Sequence, residues 1–293
     1  MGFFHRHRGL TPYLLLLPGL AWLAIFFLVP LGFLGYESLQ SGLFPDFQFT
    51  WEFSNFSDGI RDYHEQLVRS FVYAGIATVA CLVLAYPLVY WIAFRAGPWR
   101  NLFLLFIVAP FFVTYLVRTL AWLNILADQG PVVGLLRDLH ILGPDGRLLA
   151  TTFAVVSGIT YNFFPFMALP IYVSLEQMDP RLLEAARDLY ASSTQAFLRV
   201  TLPLSAPGIV AGTLLTFIPA CGDFINAKLL GTPQQYMIGN VIQSRYLEVG
   251  DYPTAAALSF ILMGIMLILV AIWAWVGGTE ALLGTEGRET VGV

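Results

Sequence analysis

Six stretches of this chain are long and apolar enough to cross a lipid bilayer, and they constrain its fold more than any other feature. They cover approximately residues 12–34, 70–94, 102–126, 149–175, 208–227 and 255–276. A membrane-spanning helix needs about 20 predominantly apolar residues. Only 12% of the residues are charged, whereas soluble domains carry about 25%. The sequence therefore predicts an all-α membrane protein: a single transmembrane domain over residues 1–293 with six transmembrane helices.

The placement of arginines predicts which side of the membrane each loop faces. Cytoplasmic loops carry an excess of Lys and Arg. With a cytoplasmic N-terminus, Arg95 and Arg100 share a short loop on that side, and most acids fall in the longer external loops. The first apolar stretch follows a basic start, but it is too long for a signal peptide and no small-residue cleavage site follows it. We therefore expect both termini to face the cytoplasm.

A polar segment, residues 176–207, interrupts the apolar sequence between the fourth and fifth spans, on the cytoplasmic side. Asp179 and Pro180 form a helix start, with an N-cap followed by proline at the first helical position. Ser192 and Gln195 have the spacing of a capping box, which predicts a second short helix. We expect Pro203 and Pro207 to end that helix before the fifth span.

The first helix of this segment carries an apolar stripe bordered by charged side chains. Leu182, Ala185 and Leu189 recur at helical spacing. An exposed apolar stripe with a charged rim indicates a docking surface for another protein. The alternative is an amphipathic loop lying on the bilayer, but the acids and arginines of the segment roughly balance, whereas such loops are rich in Lys and Arg.

The sequence EAARDLYASSTQAFLRVTLPLSAPGI within this segment resembles the EAA loop of ABC importer permeases, whose pattern is EAA-x3-G-x9-[I/V]-x-LP. The matching residues are Glu184, Ala185, Ala186, Val200, Leu202 and Pro203. Tyr190 stands where the family has the glycine of the turn between the two helices. The resemblance implies that these residues form a coupling helix that docks in a groove of an ATP-hydrolysing subunit.

Three further segments resemble permeases of the spermidine/putrescine type: Tyr115–Leu126, Gly222–Pro233 and Met237–Tyr246. The resemblance covers nearly the whole chain and implies a type I ABC importer permease bundle in a bacterial inner membrane. It also implies the partners: a second homologous permease, two ATPase subunits and an external substrate-binding protein. The expected substrate is a polyamine, with iron, phosphonate, opine or another small solute as alternatives.

The sequence offers no site at which the chain itself would bind ATP or a metal. Its single lysine, Lys228, is not part of the GxxxxGK[ST] loop that cradles phosphates. We therefore expect ATP and Mg²⁺ to be bound by the partner ATPase and the chain to be a transport subunit without enzymatic activity. The two cysteines and four histidines have no metal-ligand spacing, and nothing indicates a nucleic-acid partner.

A polyamine needs carboxylates for its charges and aromatic faces for its cations. The residues that fit, all in predicted spans, are Trp122, Tyr161, Asn162, Phe164 and Asp223; these form the candidate substrate pathway, although the aromatic residues are equally compatible with ordinary packing. Arg118 lies at a depth similar to that of Asp223, and we hypothesise that the two residues form an ion pair. A paired Asp223 would be structural and would not bind a cationic substrate.

Two other classes of function are less consistent with the sequence. A secondary transporter or channel independent of ATP needs acids or histidines within the membrane for ion coupling, and the predicted spans hold only Asp223. An intramembrane enzyme needs paired catalytic residues, which these spans lack. Neither alternative explains the polar segment between the fourth and fifth spans.

Overall fold

The computed structural model describes residues 11–143 and 145–277, and most of these residues are helical. In chain order the helices are α1 (Thr11–Leu23), α2 (Val29–Ser38), α3 (Ser54–Arg95), α4 (Arg100–Val108), α5 (Tyr115–Leu126), α6 (Pro131–Asp138), α7 (Thr152–Glu176), α8 (Pro180–Asp188), α9 (Ser193–Ala196), α10 (Leu202–Cys221), α11 (Ile225–Leu230), α12 (Ile238–Ser244) and α13 (Tyr252–Gly277). The termini that we expect in the cytoplasm lie outside the described residues.

Short irregular helical turns join several of these helices. Turns of π-helix occupy Ala24–Leu28, Phe197–Thr201 and Arg245–Val249, and turns of 3₁₀-helix occupy Gly97–Trp99, Ala109–Phe112 and Pro233–Gln235. A two-stranded antiparallel hairpin follows α2, with β1 (Gln40–Ser41) paired to β2 (Gln48–Phe49).

Within the described residues, five helical segments are long and apolar enough to cross a membrane, and a bent pair of helices can supply a sixth span. The bent pair corresponds to the third predicted span, 102–126. There the chain bends by 98° between the segments Gly97–Phe112 and Tyr115–Asp138, because Val113 and Thr114 have extended backbone angles. The third span is therefore broken, whereas the sequence predicted a continuous helix.

The fifth span begins earlier and ends earlier than predicted. A continuous helical segment runs from Ser193 to Cys221, so Pro203 and Pro207 do not end the helix that starts after Ser192. Pro203 is tolerated because it closely follows the turn of π-helix at Phe197–Thr201, a local change in hydrogen bonding that accommodates proline inside a helix. The predicted span 208–227 is interrupted at residues 222–224, between α10 and α11.

The described residues divide into two compact units: 11–62 with Ile242–Met263, and Tyr63–Val241 with 264–277. The second unit holds two apolar cores, and α7 contributes to both of them. Helices α7 and α10 pack very closely there. A Cβ atom on Gly208 would lie 2.5 Å from the carbonyl oxygen of Pro170, and one on Gly212 would lie 3.0 Å from that of Met167.

Candidate functional site

The polar segment between the fourth and fifth spans folds into two short helices, as the sequence predicts. Asp179 accepts a hydrogen bond from the backbone N–H of Arg181 at 2.9 Å, at the start of α8. Ser192 and Gln195 form the reciprocal capping box at the start of α9, with bonds of 3.3 and 2.9 Å. Each helix start is therefore specified by side chains within three residues of it.

The turn between α8 and α9 presents two large apolar side chains to solvent. Leu189 is 81% exposed and Tyr190 is 97% exposed. Tyr190 has a φ of 59°, in the left-handed region, which costs an L-residue about 1–2 kcal/mol. The turn thus keeps a geometry that suits glycine although tyrosine occupies it. Glu184 and Ala185 are also exposed and Ala186 is half-buried, so this end of the predicted coupling segment lies at the surface of the unit.

The other end of the segment is anchored in the apolar core. Phe197 packs edge-on against Tyr86 and Tyr90 of α3, with ring centroids 5.6 and 5.9 Å apart. Tyr86 also shares a hydrogen bond of 2.8 Å with Ser205 of α10. Leu202 packs against the same core, whereas Pro203 is exposed. The segment is therefore packed directly against α3 and is continuous with α10.

A second group of functional candidates lies where two interrupted helices meet. Tyr115 and Thr119 project from α5, immediately after the break in the third span. Asp223 lies in the break between α10 and α11, and Asn226 lies in α11. Asn162 joins them from the middle of α7. We call these five residues the polar cluster.

Hydrogen bonds connect all members of the polar cluster. The backbone N–H of Asn226 donates to Asp223 Oδ1 at 2.9 Å, and its Nδ2 donates to Asp223 Oδ2 at 3.0 Å. The hydroxyl of Tyr115 also donates to Asp223 Oδ2. Asn162 Nδ2 lies 3.2 Å from Thr119 Oγ1 and 3.3 Å from Asn226 Oδ1. Asn162 Oδ1 is buried and has no hydrogen-bond partner among the described residues.

Arg118 and Asp223 are both buried, but within the described residues they do not form the ion pair that the sequence suggested. The guanidinium of Arg118 lies over the rings of Phe111 and Tyr115, 5.1 and 5.6 Å from their centroids. Its Nε and Nη1 have no partner in the described part of the chain. The physical reason is the bend before α5: Tyr115 hydrogen-bonds the Asp223 carboxylate, and Arg118 stacks on Tyr115.

The remaining predicted pathway residues lie together and come from two helices, with Tyr161 and Phe164 on α7 and Trp122 on α5. Trp122 contacts Tyr161, with ring centroids 5.5 Å apart. Both residues line an apolar cavity of about 470 Å³ together with Phe164. Tyr161 and Phe164 also line a second cavity of about 380 Å³. The structure therefore separates these three aromatic residues from Asn162 and Asp223, which belong to the polar cluster.

Sequence reasoning missed three members of the polar cluster, namely Tyr115, Thr119 and Asn226. A signal for Asn226 was present, because it follows Asp223 by three residues, the spacing at which a carboxylate caps a backbone N–H. Thr119 gave no comparable signal, since its partners in the cluster, Asn162 and Asn226, lie 43 and 107 positions away along the chain.

Comparison with known proteins gives consistent matches along the chain. Residues 64–276 match the family described as "Binding-protein-dependent transport system inner membrane component". The chain is 37% identical over 255 residues to the spermidine/putrescine transport system permease protein PotB of Haemophilus influenzae, covering 86% of this chain and 89% of that protein. It is 31% identical over 302 residues to the inner membrane ABC transporter permease protein YdcU of Escherichia coli, covering 96% and 94% of the two chains.

The fold also matches a solved structure. A chain in the crystal structure of a bacterial alginate ABC transporter, in complex with its alginate pentasaccharide-bound periplasmic protein, aligns with a TM-score of 0.74 at 18% identity. The alignment covers 96% of this chain and 99% of that chain. At this level of identity the match concerns the fold alone.

Proposed function

Because this chain belongs to the family of binding-protein-dependent transport system inner membrane components, we propose that it is the permease through which an ABC importer carries a polyamine of the spermidine/putrescine type. The chain is a multi-pass permease subunit of the inner membrane and a transport subunit rather than an enzyme. The observation that supports a polyamine is the 37–40% identity to permeases named for spermidine and putrescine.

The working importer consists of this permease, a second homologous permease, two ATPase subunits and an external substrate-binding protein. ATP and Mg²⁺ are bound by the ATPase subunits, since this chain has no phosphate-binding loop of the GxxxxGK[ST] type. Both termini face the cytoplasm, as the arginine distribution favours. The binding protein delivers substrate from the opposite side of the membrane.

The loop formed by α8 and α9 is the contact with the ATPase. Its free surface includes Glu184, Leu189 and Tyr190, which are exposed in this unit. Its anchored end packs Phe197 against α3. Closure of the ATPase dimer on ATP therefore moves α3 and α10 together, because the packed Phe197 resists independent motion of the loop. Movement of these helices alternates access to the substrate pathway.

The substrate assignment is tested by measuring the ATPase activity of the reconstituted importer complex with loaded binding protein. Spermidine, putrescine, ferric iron, a phosphonate, an opine and a sugar are compared as the added solute. We expect stimulation by spermidine or putrescine and none by the other solutes. Stimulation by one of the other solutes, with no response to either polyamine, would contradict the proposed substrate and leave the permease function standing.

A further inference from the structure

The carboxylate of Asp223 is buried at the junction of two broken helices and forms no ion pair within the described residues. Asp223 is 6% exposed, and its hydrogen-bond donors in the polar cluster are neutral: the hydroxyl of Tyr115 and the two N–H groups of Asn226. An unpaired charge at membrane depth is costly, and such residues commonly belong to substrate or ion pathways. We propose that Asp223, Asn162 and Tyr115 form the binding site for one alkylammonium group of the transported substrate.

This inference rests on the proposed polyamine substrate and names the residues that bind one of its charged groups. An alkylammonium group carries three N–H donors and no acceptor, so its site must supply several oxygen acceptors. Asp223 supplies a carboxylate, and Asn162 supplies Oδ1, a buried acceptor without a partner among the described residues. The amide of Asn226 lies between the two: it is 3.0 Å from Asp223 Oδ2 and 3.3 Å from Asn162 Nδ2.

Aromatic rings line the same site. The ring of Tyr115 lies 6.0 Å from that of Phe163, centroid to centroid. Arg118 holds its guanidinium 5.6 Å from the centroid of the Tyr115 ring, so a cation of the chain itself already occupies this side of the ring. Aromatic faces attract ammonium groups by the same electrostatic interaction. The cluster thus combines the rings of Tyr115 and Phe163 with a carboxylate and with a carbonyl oxygen that has no partner among the described residues.

The backbone around the cluster also suits a ligand site. The chain departs from helical geometry at Val113 and Thr114 and again at residues 222–224. Irregular backbone at membrane depth is tolerated where it is buried in protein or lines a cavity, and transporters bind substrates at such interruptions. The hydroxyl of Tyr115 donates a hydrogen bond to Asp223 Oδ2 in this structure. An entering ammonium group displaces that hydroxyl and takes its place.

Asp223 has a structural role as well, and the test must separate it from ligand binding. Its Oδ1 accepts the backbone N–H of Asn226 at the start of α11, which is the geometry of a helix cap. Asparagine caps helices as well as aspartate does. The variant Asp223→Asn therefore keeps the cap and removes the charge, whereas Asp223→Ala removes both.

The experiment is equilibrium binding of radiolabelled spermidine to the purified importer complex in nanodiscs, without the binding protein. We expect Asp223→Asn to weaken binding at least tenfold, with a melting temperature between those of Asp223→Ala and wild type, because its amide keeps the cap but cannot accept from both Tyr115 and Asn226. Asp223→Glu should retain more binding than Asp223→Asn, because it keeps the negative charge. Tyr115→Phe should bind at least as tightly as wild type, since the competing hydroxyl is gone and the ring remains.

The outcomes separate the site from the proposed substrate. No spermidine binding by the wild-type complex would overturn the ammonium site, whereas the polyamine substrate is tested separately by stimulation of the ATPase with loaded binding protein. Wild-type binding that persists in Asp223→Asn would overturn the site alone. If Asp223→Asn does not fold, Tyr115→Phe decides the question, because a purely structural cluster predicts that loss of this hydroxyl weakens binding and lowers the melting temperature. That result would also overturn the proposal.

Discussion

A methyl group added at Gly158 is expected to break the packing that positions the polar cluster. In Gly158→Ala the new Cβ would lie 2.5 Å from Leu230 Cδ1 and 2.6 Å from Asn226 Oδ1. Both neighbours are fully buried, and Asn226 is held by hydrogen bonds to Asp223 and Thr119, so neither can withdraw freely. Overpacking of this kind costs about 1–3 kcal/mol.

The matched control is Gly75→Ala, where an added Cβ meets no atom within 4 Å. Both glycines lie inside long helices, so both variants gain the same helix propensity, about 1 kcal/mol. The difference in the free energy of unfolding between the two variants therefore isolates the packing cost, about 1–3 kcal/mol. Thermal unfolding of the purified chain in one detergent, followed by helical circular dichroism, measures it.

We expect Gly158→Ala to melt several degrees below Gly75→Ala and to lose uptake in the assembled importer. Equal melting temperatures and equal uptake would refute the close approach of α7 and α11. That result would also remove the structural basis of the polar cluster, because Asn162 of α7 contacts Asn226 of α11 through this approach.

Three further predictions concern the loop and the buried arginine. Glu184→Lys should leave the protein inserted but abolish ATP-driven uptake and capture of the ATPase in pull-downs. The control Glu65→Lys, at another exposed acid, should leave both uptake and capture unchanged. Normal uptake by Glu184→Lys at normal expression would contradict the coupling role. Tyr190→Gly should retain assembly with the ATPase, because the ring of Tyr190 is 97% exposed, and it should relieve about 1–2 kcal/mol of backbone strain from the left-handed φ. Severe loss of assembly would instead mean that the ring fills a pocket on the ATPase. Arg118→Met should raise the melting temperature of the isolated chain, since burying hydrogen-bond donors without partners costs about 1–3 kcal/mol. A lower melting temperature would show that other contacts of the guanidinium outweigh this cost.

The sequence predicted the elements that depend on local chemistry or on overall hydropathy. The family resemblance is confirmed by the comparisons, and the apolar stretches correspond to the five long helices and the bent pair. The starts of α8 and α9 were predictable because each cap lies within three residues of the N–H that it binds. The left-handed turn follows the position of the family glycine, although Tyr190 occupies it.

The interruptions of the spans were not predictable from hydropathy. Val113 and Thr114 are as apolar as many helical residues, so a hydropathy profile passes over the bend of 98°. The expected pairing of Arg118 with Asp223 assumed straight spans that bring residues of equal depth together. The bend instead places the hydroxyl of Tyr115 on the carboxylate, a contact between residues more than a hundred positions apart that a single sequence does not reveal.

The most direct test of the coupled permease is ATP-dependent accumulation of spermidine in proteoliposomes that contain the purified importer complex and its loaded binding protein. Wild-type complex should accumulate spermidine only when ATP is present on the side of the α8–α9 loop. The complex with Glu184→Lys should accumulate none, although its permease is present in equal amount. Accumulation without ATP, or equal accumulation by the two complexes, would contradict an importer that is driven through this loop.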